Sequence, residues 1–168
     1  MNVGLLIARL IFGTLMAAHG SQKLFGWLGG YGLTGTGGFF EGLGFRPGRF
    51  FAAAAGLAEW VGGILLALGL FEPAAAAVIV SVMIVAAGSV HWAHGLFADS
   101  NGIEVPLLYG AAAAALAFTG PGAYSIDAAL GLASLWTPAL KAAVLLLGVV
   151  GGFANLIMRQ PLAQVAQQ

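Results

Sequence analysis

Five stretches of this chain are long and apolar enough to be read as membrane-crossing helices: 3–22, 50–70, 73–97, 104–120 and 138–158. A crossing helix needs about 20 mainly apolar residues, because ~30 Å of hydrocarbon offers the backbone no water to bond to. Five such stretches take up most of the 168 residues. Charged residues make up 7% of the chain, against about 25% in soluble domains, so a water-facing surface could not be covered. The fold class is therefore all-α, a polytopic transmembrane bundle. The net charge of zero gives no reason to expect nucleic acid. There is no cysteine, which excludes a disulfide, a CxxC redox pair and thiolate metal ligands. No basic residues precede the first apolar run, so it does not read as a cleaved signal peptide.

The breaks between spans carry their own chemistry. Glu72-Pro73 separates the second span from the third and starts a helix. ADSNG at 98–102 is a turn cluster, and TGPG at 119–122 ends the fourth span. The segment 123–137 reads as a short interfacial helix capped near Ser125, and 159–168 as a polar tail. The long connection 23–49 is rich in glycine and aromatics. It reads as a lid with a short helix around 37–43, with Trp27, Tyr31, Phe39 and Phe40 at headgroup level. Its GTGG is a poor phosphate loop, since no strand precedes it.

Counting crossings places residues on faces. Starting from the N-terminal side, the first helix delivers His19, Lys23 and the lid to the opposite side. His91, His94 and Glu104 reach that same lid side at the end of the third span and the start of the fourth. Lys23, Arg46, Arg49 and Arg159 also fall there, which by the positive-inside rule makes the lid side cytoplasmic. With only four crossings and both ends in the cytoplasm, the lid side would be external.

An ionisable group at mid-membrane costs roughly 3 kcal/mol or more, so it should face the bundle and have a partner. Arg9, Phe12, Met16, His19 and Lys23 fall on one helical stripe. Arg9 and Glu59 sit at similar depths below their helix ends, which predicts an Arg9–Glu59 ion pair, with Asp127 as the rival partner. Such a pair can serve only to fix helix packing. Ala55, Glu59 and Gly63 share a close-packing stripe, as do Gly88, His91 and Gly95. His91 and His94 stand at i, i+3. With His19 and Glu104 they form either a hydrogen-bonding cluster for a quinone carbonyl or a headgroup, or a metal site of three histidines and a carboxylate. The bland reading is interface anchoring. Tyr109 and Phe118 read as core, and Trp136 and Lys141 as membrane-edge anchors.

Several motifs together resemble one family. ARLIFGTLMAAHGSQKLFGW, AGLAEWVGG and GPGAYSID, in unbroken order over about 4–130, are similar to the DoxX family of prokaryotic membrane proteins. The resemblance implies a four-helix transmembrane unit over 1–130 with 23–49 as its lid. An additional membrane helix over 131–158 and the tail 159–168 then lie beyond it. It implies a cell (inner) membrane location and an oxidoreductase link. Namesake relatives belong to a thiosulfate:quinone oxidoreductase and a terminal quinol oxidase of archaea. Other members go with thiol or oxidative stress, or with quinone and catechol detoxification. The family's polar positions fall here on Arg9, His19, Lys23, Glu59, His91, Glu104 and Asp127.

The resulting expectation is a subunit of a membrane redox system that interacts with a quinone. His19, Lys23 and His91 would carry the chemistry, His94 and Glu104 would bind the ligand, and Arg9, Glu59 and Asp127 would form a structural ion pair. No flavin, haem or iron–sulfur motif is present, so electrons must come from elsewhere. Expected partners are the bilayer, a quinone, a soluble or membrane redox protein and, in a homo-oligomer, further copies of the chain. The alternatives are a carrier for a small solute or metal, and a scaffold for a soluble redox enzyme.

Overall fold

The structure, a computed structural model, describes residues 2–160. Those residues are helical, with no strand among them. α1 spans Asn2–Phe25, α2 Gly32–Gly42, α3 Gly48–Leu68, α4 Glu72–Ala86, α5 Glu104–Thr119, α6 Ile126–Ala129 and α7 Pro138–Ile157. Beyond α4 the helix continues through a π turn, Ala87–His91, and one 3₁₀ turn, Trp92–His94. By length and composition, α1, α3, Glu72–His94 and α7 can each cross a membrane. α5 has 16 residues and rises about 24 Å, short of the full hydrocarbon thickness of ~30 Å. The fourth expected span is thus the short one. The polar tail falls, apart from its first two residues, outside the described residues.

α1 and α3 pack antiparallel along a seam of glycines. A Cβ at Gly13 or Gly20 would overlap the backbone of Ala67 or Trp60, and one at Gly63 would overlap Ala17. Without a hydrophobic drive between helices in lipid, such close backbone approach supplies the attraction. It also fixes the register, setting Gly20 level with Trp60 and Arg9 beside Gly69. α4 is the central helix, with α3, α5 and α7 packed around it. An apolar layer of Met16, Leu66, Ala76, Ile79, Ala113 and Ala117 fills the middle of the bundle.

The lid helix is longer than the sequence pattern suggests, starting at Gly32 rather than near 37. GTGG lies inside it as ordinary helix. Its glycines serve contact instead: Gly37 packs under Arg49, and a Cβ at Gly48 would overlap the Gly37 carbonyl. Glu41 then accepts the Gly48 amide at 3.1 Å and caps α3. On the N-terminal side, 123–137 is not one helix. Ser125 caps the four-residue α6, accepting from the Ala128 amide at 3.1 Å, and a separate 3₁₀ turn covers Leu132–Leu135.

Candidate functional site

The bundle holds two polar centres, one towards each face. Near the N-terminal side, Arg9, Glu72 and Asp127 are all fully buried. Arg9 Nη2 donates to the Tyr124 carbonyl at 2.5 Å. Asp127 accepts the Phe71 amide at 2.9 Å, the Glu72 amide at 3.3 Å and the Trp136 indole N–H at 3.2 Å. Its own amide donates to the Gly69 carbonyl at 2.9 Å. Asp127 therefore ties α6 to the α3–α4 turn and satisfies amides that a helix start leaves open. Arg9 lies in the field of both Glu72 and Asp127. Its Nε and Nη1, and both Glu72 carboxyl oxygens, are buried with no partner among the described residues.

The expected Arg9–Glu59 pair does not form. The glycine seam places Arg9 beside Gly69, ten residues along α3 from Glu59 and so about 15 Å away. The depth estimate went astray because α1 runs on to Phe25, past the point taken as its end. Glu59 instead pairs with Lys23, the one ion pair among the described residues. Asp127, the rival partner, is close enough for its charge to act on Arg9 but forms no ion pair with it, its oxygens being taken by the Phe71 and Glu72 amides and the Trp136 indole.

Towards the lid side, the Lys23–Glu59 pair stands between two cavities. Glu59 is 3% exposed and Lys23 keeps 27%, so the carboxylate is sunk in the wall while the ammonium borders open space. The smaller cavity, about 130 Å³, adjoins Met16, His19, His91, Val105, Pro106 and Tyr109. His19 meets Tyr109 edge-on at 6.1 Å between ring centres, and Phe12 meets it at 5.7 Å. The larger cavity, about 430 Å³, lies where α2, α3, α4 and α7 meet. Phe39, Phe40, Phe45 and Phe51 supply its aromatic wall, and Lys23, Glu59 and His91 one polar edge.

His91 is aimed by the π turn that ends on it. Such turns insert an extra residue into a helix and often mark functional positions. Its Nδ1 lies 2.7 Å from the Asn101 carbonyl. A carbonyl only accepts, so Nδ1 carries the proton and Nε2 of the neutral ring is left as an acceptor. His94, at i+3 from His91 through one 3₁₀ turn, nevertheless does not join it at a cavity. His94 Nδ1 bonds back to the Val90 carbonyl at 3.0 Å. Glu104 accepts the Ala98 amide at 2.8 Å and holds the 95–104 turn. Neither residue adjoins either cavity. The alternative metal set His19, His91, His94 and Glu104 does not gather, and no group of three histidine or carboxylate side chains among the described residues is placed to hold an ion.

Three participants escaped the sequence reading. Glu72 was read as a helix break, although a carboxylate on the same face as Arg9 and Asp127 was a usable signal. Tyr109 was read as core but adjoins the smaller cavity beside His19. Asn155 adjoins the larger cavity from α7, and no spacing rule could have brought it there. Trp136 and Lys141, read as edge anchors, bond to Asp127 and to the Phe118 carbonyl at 3.2 Å.

The DoxX family model matches residues 4–92. The matched span holds Arg9, His19, Lys23, Glu59 and His91 and stops before His94, Glu104 and Asp127. The likeness read from the sequence extends further, to about 130. Comparison with curated proteins and with solved structures gives no match. With more than half of its length matched and four apolar helices of crossing length, the chain is an integral membrane protein that belongs to the DoxX family.

Proposed function

We propose that this protein is a subunit of a membrane redox system and binds a quinone in the larger cavity. The observation that carries the reading is the cavity itself: about 430 Å³, aromatic-walled, with the Lys23–Glu59 pair and His91 at one edge. Sites for small molecules are typically 300–1,000 Å³, mainly apolar, with a few placed polar groups. The Lys23 ammonium stabilises negative charge developing on a quinone oxygen during reduction. His91 Nε2, an acceptor in the neutral ring, receives the O–H of the quinol and takes its proton on oxidation; in the reverse direction the protonated ring donates to the quinone oxygen. His19 and Tyr109 stand across the ion pair, on the lid-side route by which protons reach it. The electrons come from a partner redox protein. The setting is the inner membrane of a prokaryotic cell, with the lid side facing the cytoplasm. His94 and Glu104 shape the turn that holds His91 and have no direct part in binding.

The test is to purify the full chain in mild detergent and measure co-purified quinone and metal in one sample. The comparison is a Lys23→Met/His91→Ala variant that elutes as the parent does. Quinone retained by the parent and lost from the variant is the expected result. Stoichiometric metal lost with the same substitutions would turn the site into a metal centre. A parent that holds no quinone, even after it is added back, would overturn the proposal in favour of transport or scaffolding.

A further inference from the structure

The end of α7 is fastened to the lid. Gln160 donates its amide to the Gly44 carbonyl at 2.8 Å, and Arg159 Nε donates to the Leu43 carbonyl. The approach is so close that a Cβ at Gly44 would overlap the Gln160 carbonyl and stand 3.2 Å from Arg159 Cγ. Arg46 follows two residues after Gly44, and Arg49 three residues after that. Two residues of chain span at most about 7 Å and three about 11 Å. Half of the chain's six lysines and arginines therefore stand at one corner of the lid face, where the α2–α3 loop meets the end of α7.

All three arginines are exposed. None joins an ion pair, since the one pair among the described residues is Lys23–Glu59. Glu41 is the carboxylate of this corner, and it accepts the Gly48 amide at 3.1 Å. Asp99 and Glu104 belong to the turn between α4 and α5, and residues 161–168 carry no Asp or Glu. Both α3 and α7 are long and apolar enough to cross a membrane. Arg46 and Arg49 stand where α3 begins, and Arg159 lies just past the end of α7, so all three sit at headgroup level. On the same two helix ends, Phe50, Phe153 and Ile157 are exposed, Ile157 at 83%.

We infer that Arg46, Arg49 and Arg159 form a site for the phosphate headgroup of an anionic phospholipid. A guanidinium presents a planar fork of donors that matches phosphate oxygens, and basic pockets between membrane helices suit anionic headgroups. The long exposed side chains of Arg46 and Arg49 can reach a phosphate held beside Arg159, whose Nη groups stay available when Nε bonds to Leu43. The acyl chains lie along Phe50, Phe153 and Ile157. A soluble acidic partner has no use for that apolar bed, and a choline lipid brings its own cation to a corner already positive. The bound lipid ties α7, beyond the family-matched residues 4–92, to the lid loop whose Leu43 and Phe45 border the larger cavity. The site is independent of what that cavity holds.

The experiment follows binding of fluorescently labelled phosphatidylglycerol and phosphatidylcholine, with identical acyl chains, to the full chain in mild detergent by anisotropy. The parent is expected to hold phosphatidylglycerol at least tenfold more tightly. Arg46→Gln, Arg49→Gln and Arg159→Gln are each expected to weaken phosphatidylglycerol roughly fivefold and leave phosphatidylcholine within about twofold. Arg46→Gln and Arg49→Gln keep the Arg159–Leu43 bond, so they serve should Arg159→Gln fail to fold. Lys141→Gln, which removes a cation near the opposite face, is expected to leave the preference unchanged. Glycerol phosphate, which has the headgroup chemistry without the chains, is expected not to displace the lipid at equal concentration. A parent without preference overturns the inference, as do arginine variants that keep the preference or weaken both lipids equally. A matching loss in Lys141→Gln would reduce the effect to overall charge, and displacement by glycerol phosphate would make the occupant a free phosphate ester; either result overturns the lipid site.

Discussion

The two polar centres put similar chemistry into the membrane and hold it in different ways. Arg9, Glu72 and Asp127 are sealed, and Asp127 is spent on backbone amides and the Trp136 indole. Lys23, Glu59 and His91 adjoin two cavities, and Lys23 keeps part of its surface. The first centre closes the α3–α4 turn onto α1 and α6. The second presents an ammonium and an imidazole to a space large enough for a ligand. A buried charge in a membrane helix is therefore no guide to function alone; the open volume beside it distinguishes a charge that could meet a ligand from one sealed into the architecture.

The sharpest way to break this comparison is at Arg9. Arg9→Met leaves two buried carboxyl groups without their cation, which should cost about 3–5 kcal/mol. The expected outcome is a steep fall in thermal stability and yield, with any folded remainder binding quinone at parental affinity. A stable Arg9→Met protein that has lost the ligand would reverse the roles of the two centres.

Gly20→Val acts on both centres together. The added side chain meets the Trp60 backbone, and overpacking of this kind costs about 1–3 kcal/mol. It should lower the melting temperature and disturb the Lys23–Glu59 geometry through the register. Parental stability would show that the seam is looser than its geometry.

The lid-side pair separates stability from binding. Lys23→Met leaves Glu59 without its partner, at about 1–3 kcal/mol. Adding Glu59→Leu removes the stranded carboxylate and should restore most of that stability, since apolar replacement of a whole buried pair is often neutral. Quinone affinity should stay at least tenfold down in the double variant, measured in the same detergent. Recovery of binding with stability would make this pair as architectural as the other. The mildest change is His91→Gln, which keeps hydrogen-bonding capacity but cannot carry a proton in the same way. It should weaken quinone binding only a few-fold, and a larger loss of turnover than of affinity would identify proton exchange as its role.

Much of the fold was legible because lipid imposes a simple rule, with long apolar helices broken by Pro, Gly and Asn. The starts at Glu72-Pro73, Ser125 and Pro138 follow from capping chemistry that reads locally. The gathering of His19, Lys23 and His91 followed from counting crossings. The partner of Glu59 did not, because depth counted from a guessed helix end is only as good as that end. His94 and Glu104 looked equivalent to His91 by position. The His94 ring bonds back to the Val90 carbonyl and Glu104 holds the Ala98 amide, and neither bond has a periodic signature.

By itself the sequence determined that the chain lives in a membrane, is helical, and brings one set of polar side chains to the lid side. Hydrophobic run length and composition suffice for that, because the bilayer acts on each segment separately. Only the tertiary structure decided which charge faces which, that α7 adds Asn155 to the cavity, and that one polar centre is sealed while the other is open. Those outcomes depend on interhelical register. Register is set by where glycines let two backbones touch, a property of paired surfaces that no single segment carries.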